Sequence, residues 1–220
     1  MQSTPLIFEE IEKAVSLYPE HTALLQLLDG EGEVRYTFRQ TLRLAKNLSR
    51  ALKGRGFGKG DKVVFWAPLS PHWVIAYLGV LYSGCVVVPL DVEYGSDELA
   101  FVLAELDSRL IFTTREKLPL LRSATEGRPA EMTVVSLNGV GEADAATAQV
   151  EELFEESEAD PAVPPVSPED VATIFYTSGT TGKPKGVVIE HGAVAAGVLS
   201  LKQYIEFIPG DNVLAVVPAH

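Results

Sequence analysis

The sequence predicts an α/β protein, a mostly parallel sheet flanked by helices, on three observations. Short runs at 63–66, 85–90 and 110–113 are dense in β-branched and aromatic residues and show no polar alternation, as expected of strands buried on both faces. Two amphipathic segments of helical period separate them, giving the order strand, helix, strand, helix, strand that right-handed crossovers require. Gly, Ser and Pro punctuate each junction.

Taken in order, 22–28 and 33–36 read as strands joined by the tight turn Asp29-Gly30-Glu31-Gly32. Thr37-Phe38-Arg39-Gln40 has the capping-box arrangement and opens a helix with Phe38, Leu42, Ala45, Leu48 and Leu52 on one face, ended by Gly54 and Gly56. After the turn Lys59-Gly60-Asp61 comes the strand at 63–66. Ser70 as N-cap and Pro71 at the first helical position then start a helix using Val74, Tyr77, Leu78 and Leu81, closed by Gly84. The strand at 85–90 follows, and Ser96 caps a helix carrying Leu99, Val102, Leu103 and Leu106, which leads to the strand at 110–113. Residues 132–137 add one more strand.

Residues 139–170 change character: Glu142, Asp144, Glu151, Glu152, Glu155, Glu156, Glu158 and Asp160 are met by no Lys or Arg. This predicts a solvated, loop-rich acidic linker closed by the stiff Pro161-Ala162-Val163-Pro164-Pro165. An acidic interaction site is the sharper alternative. Strands at 171–176 and 187–189 bracket a glycine-rich segment, and 212–217 reads as a final strand.

Composition narrows the function. A chain of 220 residues, 46% hydrophobic, buries a sizeable core. Its formal net charge of -12 repels a phosphate backbone, which argues against nucleic-acid binding. Residues 63–90 lack charge, but Ser70-Pro71 and Ser83-Gly84 divide them, so no transmembrane segment is expected. The amino terminus carries Glu9, Glu10 and Glu12 and has neither part of a secretory signal. The single cysteine, Cys85, sits in an apolar run and has no second cysteine to pair with, which suits a reducing compartment; a cytoplasmic location is the expectation. Cys85 reads as core rather than nucleophile, since no nearby cation would lower its pKa. His21, His72 and His191 stand near turns or helix starts without ligands at metal spacing, so surface or capping roles are expected and no protein-built metal site is proposed.

The chemistry is carried by Tyr176-Thr177-Ser178-Gly179-Thr180-Thr181-Gly182-Lys183-Pro184-Lys185-Gly186. Gly179, Gly182 and Gly186 permit positive φ and leave room for close approach of a polyphosphate. Thr177, Ser178, Thr180 and Thr181 add hydroxyl donors, and Lys183 and Lys185 supply cations to an otherwise acidic chain. The Walker loop fails twice as a template. For Gly182-Lys183 to be its Gly-Lys pair, Thr177 would have to be glycine and Pro184 would have to be Ser or Thr. A bare flexible turn is the bland alternative, weakened by the length of the run.

This run resembles, residue by residue, the signature of the adenylate-forming superfamily: acyl-CoA and aryl-CoA ligases, firefly luciferases and the adenylation domains of peptide synthetases. Gly60-Asp61-Lys62-Val63 and the segment from Leu81 through Val88-Pro89-Leu90-Asp91 resemble further motifs in the family's order. Val217-Pro218-Ala219-His220 is similar to the start of the substrate-pocket motif in which acyl- and aryl-CoA ligases carry Pro-x-His.

The resemblance implies part of the large N-terminal domain of that fold. It also implies a two-step reaction, in which a carboxylate, in first expectation a fatty acid, attacks ATP to give an acyl-adenylate, and coenzyme A then takes the acyl group. Transfer to a carrier-protein thiol is the alternative within the class, and a non-catalytic binding module the alternative outside it. By the same resemblance Thr177, Ser178, Gly179, Thr180, Thr181, Gly182, Lys183 and Lys185 hold the β- and γ-phosphates with Mg²⁺, and His220 faces the acid substrate. No catalytic residue is assigned. The family's adenine, ribose, magnesium and hinge motifs and its catalytic-lysine domain have no counterpart in residues 1–220. The expectation is a truncated ATP-binding part, inactive alone, with self-association through the surfaces this exposes.

Overall fold

The computed structural model describes residues 6–28, 30, 32–127, 132–138, 147–155, 166–177, 184–206, 208 and 210–215. Helix α1 (Ile7–Leu17) precedes a hairpin of β1 (Thr22–Leu27) and β2 (Glu33–Thr37). The main body follows as α2 (Phe38–Gly54), β3 (Lys62–Trp66), α3 (Pro71–Tyr82), β4 (Val86–Pro89), α4 (Ser96–Leu106) and β5 (Leu110–Thr113). A 3₁₀ turn at Arg115–Lys117 leads into α5 (Leu118–Thr125), β6 (Thr133–Ser136), β7 (Thr147–Gln149) and α6 (Val150–Phe154). The chain then forms β8 (Val171–Thr177), β9 (Lys185–Glu190) and α7 (His191–Tyr204).

Seven strands form one sheet in the order β7-β6-β5-β3-β4-β8-β9, parallel throughout except for β9, which runs antiparallel on the edge. This is the α/β class the sequence predicts. Alternate residues of the central strands feed two cores. Val63, Phe65, Val87, Leu110 and Phe112 pack against α1, α2, α3 and α6, whereas Val64, Trp66, Val88 and Ile111 pack against α4 and α5. Burial on both faces explains why these strands read as continuous apolar runs.

Local signals hold where they depend on neighbouring residues. Thr37 Oγ1 accepts from Gln40 N at 3.2 Å while Gln40 Oε1 accepts from Thr37 N at 2.8 Å, the reciprocal capping box. Ser70 Oγ accepts from Trp73 N at 3.1 Å, and Pro71 opens α3. Gly84 closes that helix with φ 76°, a backbone conformation only glycine adopts without strain.

Four expectations need correction, and one helix lies outside them. The buried face of α3 is not the Val74, Tyr77, Leu78 set: Trp73, Ile75, Ala76, Gly79, Val80, Leu81 and Tyr82 are buried, because α3 is sandwiched between the sheet and α2. Ser96 is the first helical residue of α4, with Gly95 at the N-cap and no side-chain cap, so Asp97 and Glu98 in the first turn meet the helix dipole instead. The stretch 139–170 is not only linker, since β7 and α6 lie within it. There Val150, Leu153 and Phe154 are buried, and the Asn47 side-chain amide donates to Phe154 O at 2.9 Å. Residues 212–215 form no strand; Val213 and Leu214 are exposed and pair with nothing among the described residues. The amino terminus folds as α1, which seats Phe8 in the core and pairs Glu12 with Lys46 and Glu10 with Lys202. No described helix is long and apolar enough to cross a membrane.

Candidate nucleotide site

The glycine-rich segment links β8 to β9, and its attachment points are well defined. Val171 at the start of β8 pairs with Glu190, and the ladder continues to Tyr176 with Gly186 and Thr177 with Lys185. Thr177 and Lys185 therefore stand opposite each other at the open end of the hairpin, both exposed. That end lies on the carboxyl edge of the parallel strands, beyond which open α/β sheets bind their ligands. Ser178, Gly179, Thr180, Thr181, Gly182 and Lys183, and also His220, lie outside the described residues.

The base of the hairpin is fixed by contacts far apart in sequence. Thr173 Oγ1 donates to Val87 O at 2.9 Å, tying β8 to β4. Asp170, just before β8, takes Lys59 Nζ at 2.7 Å and Ser167 N at 2.6 Å, and these hold its carboxyl below the usual range. Gly192 N donates to Pro168 O at 2.8 Å, and a Cβ on Gly192 would sit 3.0 Å from that oxygen.

Nearer the loop, the Tyr176 ring enters the core on the α4 side and its hydroxyl donates to Glu105 Oε2 at 3.2 Å. Burial, then the Glu105 carboxylate and its hydrogen bond, push the phenol well above its ordinary pKa, so it is a donor at any physiological pH. Gly186 does not take the positive φ that the sequence suggests. It is a strand residue outside the positive-φ set, and its hydrogen leaves room for packing: a Cβ there would lie 3.0 Å from Ile174 Cγ2 and 3.5 Å from Tyr176 Cζ. Glu105 carries no sequence signal for this role, because it lies 71 positions before Tyr176 on an exposed helix face.

Two histidines depart from the surface or capping roles expected of them. His191 is buried at the start of α7 against Phe8, with ring centroids 5.6 Å apart and no hydrogen-bond partner for either ring nitrogen among the described residues. Burial lowers its pKa. His72 bridges Tyr36 Oη at 2.8 Å and Leu137 O at 2.9 Å; a carbonyl only accepts, so Nδ1 donates to Leu137 O, with Glu151 Oε1 3.6 Å from the same nitrogen. His21 stays exposed. Cys85 is fully buried, and desolvation pushes its thiol up to about 11, in keeping with a core residue. Among the described residues no group of three or more His, Cys, Asp or Glu side chains is placed to hold a metal ion.

Fold and site together define a mostly parallel α/β protein with a glycine-, threonine- and lysine-bearing hairpin on the carboxyl edge of its sheet. The chain belongs to the family described as AMP-binding enzyme, which matches residues 11–220. It is 30% identical to a 3-[(3aS,4S,7aS)-7a-methyl-1,5-dioxo-octahydro-1H-inden-4-yl]propanoyl:CoA ligase of Rhodococcus jostii (strain RHA1), over 94% of this chain and 42% of that protein. It is 31% identical to tyrocidine synthase 3 of Brevibacillus parabrevis, over 93% of this chain and 3% of that one. Among solved structures, that of the anthranilate CoA ligase AuaEII with anthranoyl-AMP superposes with a TM-score of 0.73 at 25% identity, over 86% of this chain and 35% of that chain. The chain thus spans less than half the length of each of these proteins.

Proposed function

We propose that the protein activates a carboxylic acid with ATP to an acyl-adenylate and passes the acyl group to coenzyme A, with a fatty acid as the first substrate to test. The observation that carries this reading is the open end of the β8–β9 hairpin. Thr177 and Lys185 face each other there, at either end of a run whose hydroxyls, glycines and second lysine suit a polyphosphate. Thr177, Ser178, Gly179, Thr180, Thr181, Gly182, Lys183 and Lys185 bind the β- and γ-phosphates. Their work is placement and charge: fixed donors stabilise the leaving pyrophosphate as the carboxylate attacks the α-phosphate. Mg²⁺ arrives on the triphosphate. His220 lines the acid site. The protein acts in the cytoplasm.

Residues 1–220 supply one wall of the site, so they bind ATP weakly and do not turn over. Two measurements test the reading on this chain: ATP protection of the backbone amides at 177–186 from hydrogen exchange, and ATP-pyrophosphate exchange with a panel of fatty and aromatic acids. Expected are protection that Lys185→Met weakens, and no exchange of label. Absence of ATP protection at millimolar ATP would overturn the phosphate assignment, and clear turnover would overturn the inactivity of this segment.

A second acceptor is favoured by one observation, the 31% identity to tyrocidine synthase 3 alongside the 30% identity to a CoA ligase. In that reading a carrier-protein thiol replaces coenzyme A. Product analysis with each thiol, in a chain extended to the length of the CoA ligase, separates the two.

A further inference from the structure

We propose that α1 is a releasable strap, which lets go of the body of the protein when His191 beneath it takes up a proton. Helix α1 is lightly held. Phe8 is its one buried side chain, and Leu6 at its N-cap makes no side-chain hydrogen bond. Two ion pairs tie it to different helices: Glu12 takes Lys46 Nζ of α2 at 2.8 Å, and Glu10 takes Lys202 Nζ of α7 at 2.6 Å. Pairs this open to solvent add little stability, so the seating of Phe8 carries most of the docking. A segment with so little buried surface opens at a free energy well below that of the whole fold.

What Phe8 packs against is partly polar. Its ring centroid lies 4.3 Å from that of Tyr82 and 5.6 Å from that of His191, so it bridges α3 and α7. The Tyr82 hydroxyl and both His191 ring nitrogens are buried with no hydrogen-bond partner among the described residues. Lifting Phe8 lets water reach them, and the imidazole gains more because it can also charge: a buried imidazolium without a partner is far costlier than the neutral ring. The neighbouring charges are already engaged. Asp170, whose backbone oxygen accepts from His191 N at 2.9 Å, has its carboxylate on Lys59 Nζ at 2.7 Å and Ser167 N at 2.6 Å. Glu10 and Glu12 are held by Lys202 and Lys46, Lys46 lies 5.7 Å from the Tyr82 ring, and Glu190 before the helix is exposed. Burial accordingly lowers the His191 pKa, with Asp170 and Lys59 acting in opposite senses. The docked form therefore binds fewer protons than the released one. Docking is complete above the released value of about 6.5 and weakens as pH falls from there toward the docked value. Glu10, whose carboxyl Lys202 holds below its ordinary range, keeps its pair through that window. Release takes from α7 a helix packed on it and the tie at Lys202, so the docking of α1 governs how firmly α7 is held.

Hydrogen exchange of residues 8–17 near pH 7.5 and near pH 5.5, with each rate divided by that of the same segment unfolded, measures the docking equilibrium. Wild-type protection of α1 is expected to fall by about three- to tenfold at the lower pH, since one pH unit below the released pKa weakens docking by up to about tenfold, while protection of β3 and β5 holds. In His191→Phe, which cannot charge, the fall should shrink to less than about twofold. Phe8→Ala should lower α1 protection at both pH values, and titration of the His191 ring by NMR should show its pKa moved up toward about 6.5. Unchanged wild-type protection at the lower pH, an equal fall in His191→Phe, or loss of protection in β3 and β5 together with α1 would each overturn the proposal. Should His191→Phe not fold, the NMR titration decides: a His191 pKa that Phe8→Ala leaves in place refutes the strap.

Discussion

Substituting Gly79 by alanine sets two known effects against each other, and the structure decides the sign. Gly79 lies inside α3 where that helix crosses α2. Helix propensity alone favours alanine by up to about 1 kcal/mol. A Cβ at this position would sit 2.6 Å from Leu48 Cδ2, 2.8 Å from Ala45 O and 2.9 Å from Leu48 Cβ, whereas unstrained carbon contacts need about 3.5 Å or more. The first atom could swing away, but the other two are fixed to the backbone of α2. The two helices must therefore move apart by several tenths of an ångström in a core where Ala45, Leu48, Ile75 and Ala76 are fully buried. Overpacking of this kind costs about 1–3 kcal/mol, and the backbone contact puts Gly79→Ala at the upper end; less the propensity gain, the net loss is about 2 kcal/mol. Urea unfolding followed by far-UV circular dichroism is the assay, with the midpoint expected to fall by roughly 1 M. Gly197→Ala is the control, since nothing lies within 4 Å of a Cβ there and α7 should gain up to about 1 kcal/mol. A Gly79→Ala midpoint at or above that of wild type would refute the packing argument.

Other expectations follow from burial and exposure. With its thiol raised to about 11 and no solvent access, Cys85 should be inert to a disulfide reagent at pH 8, where roughly one part in a thousand is thiolate, and react fully in urea; stoichiometric labelling of the native protein would contradict this. His191 is held neutral by burial, so its folded pKa lies below the unfolded value of about 6.5. Its contribution to stability is complete above that value and declines as pH falls through it toward the folded pKa. His191→Phe should flatten the stability profile in that window, and an unchanged profile would show that another group titrates. The β9 edge, with which no further strand pairs among the described residues, and the exposed Val187 and Val188 should drive self-association, which Val188→Lys weakens; a monodisperse wild-type monomer by light scattering would rule this out.

Sequence legibility follows the range of the interactions involved. The capping box at Thr37, the Ser70-Pro71 helix start, the Gly84 stop and the uninterrupted apolar strands were readable because each depends on residues within a few positions. The family was readable for the same reason, as the run that points to it is eleven consecutive residues. Helix α1 and α7 escaped notice, one for want of a capping side chain and the other because Gly192 and Gly197 weaken its helical pattern. His191 looked like a surface residue because nothing in its neighbourhood says that Phe8, far earlier in the chain, covers it.

By itself, then, the sequence determined the fold class, the helix starts at Thr37 and Ser70 and the family to which the glycine-rich run points, all properties of local patterning. The tertiary structure alone decided that β9 is, among the described strands, an antiparallel edge, that α3 is buried on both sides, and that the Tyr176 hydroxyl meets Glu105. These depend on which distant segments meet, and side-chain shape and hydrogen-bond geometry settle that only once the chain has packed.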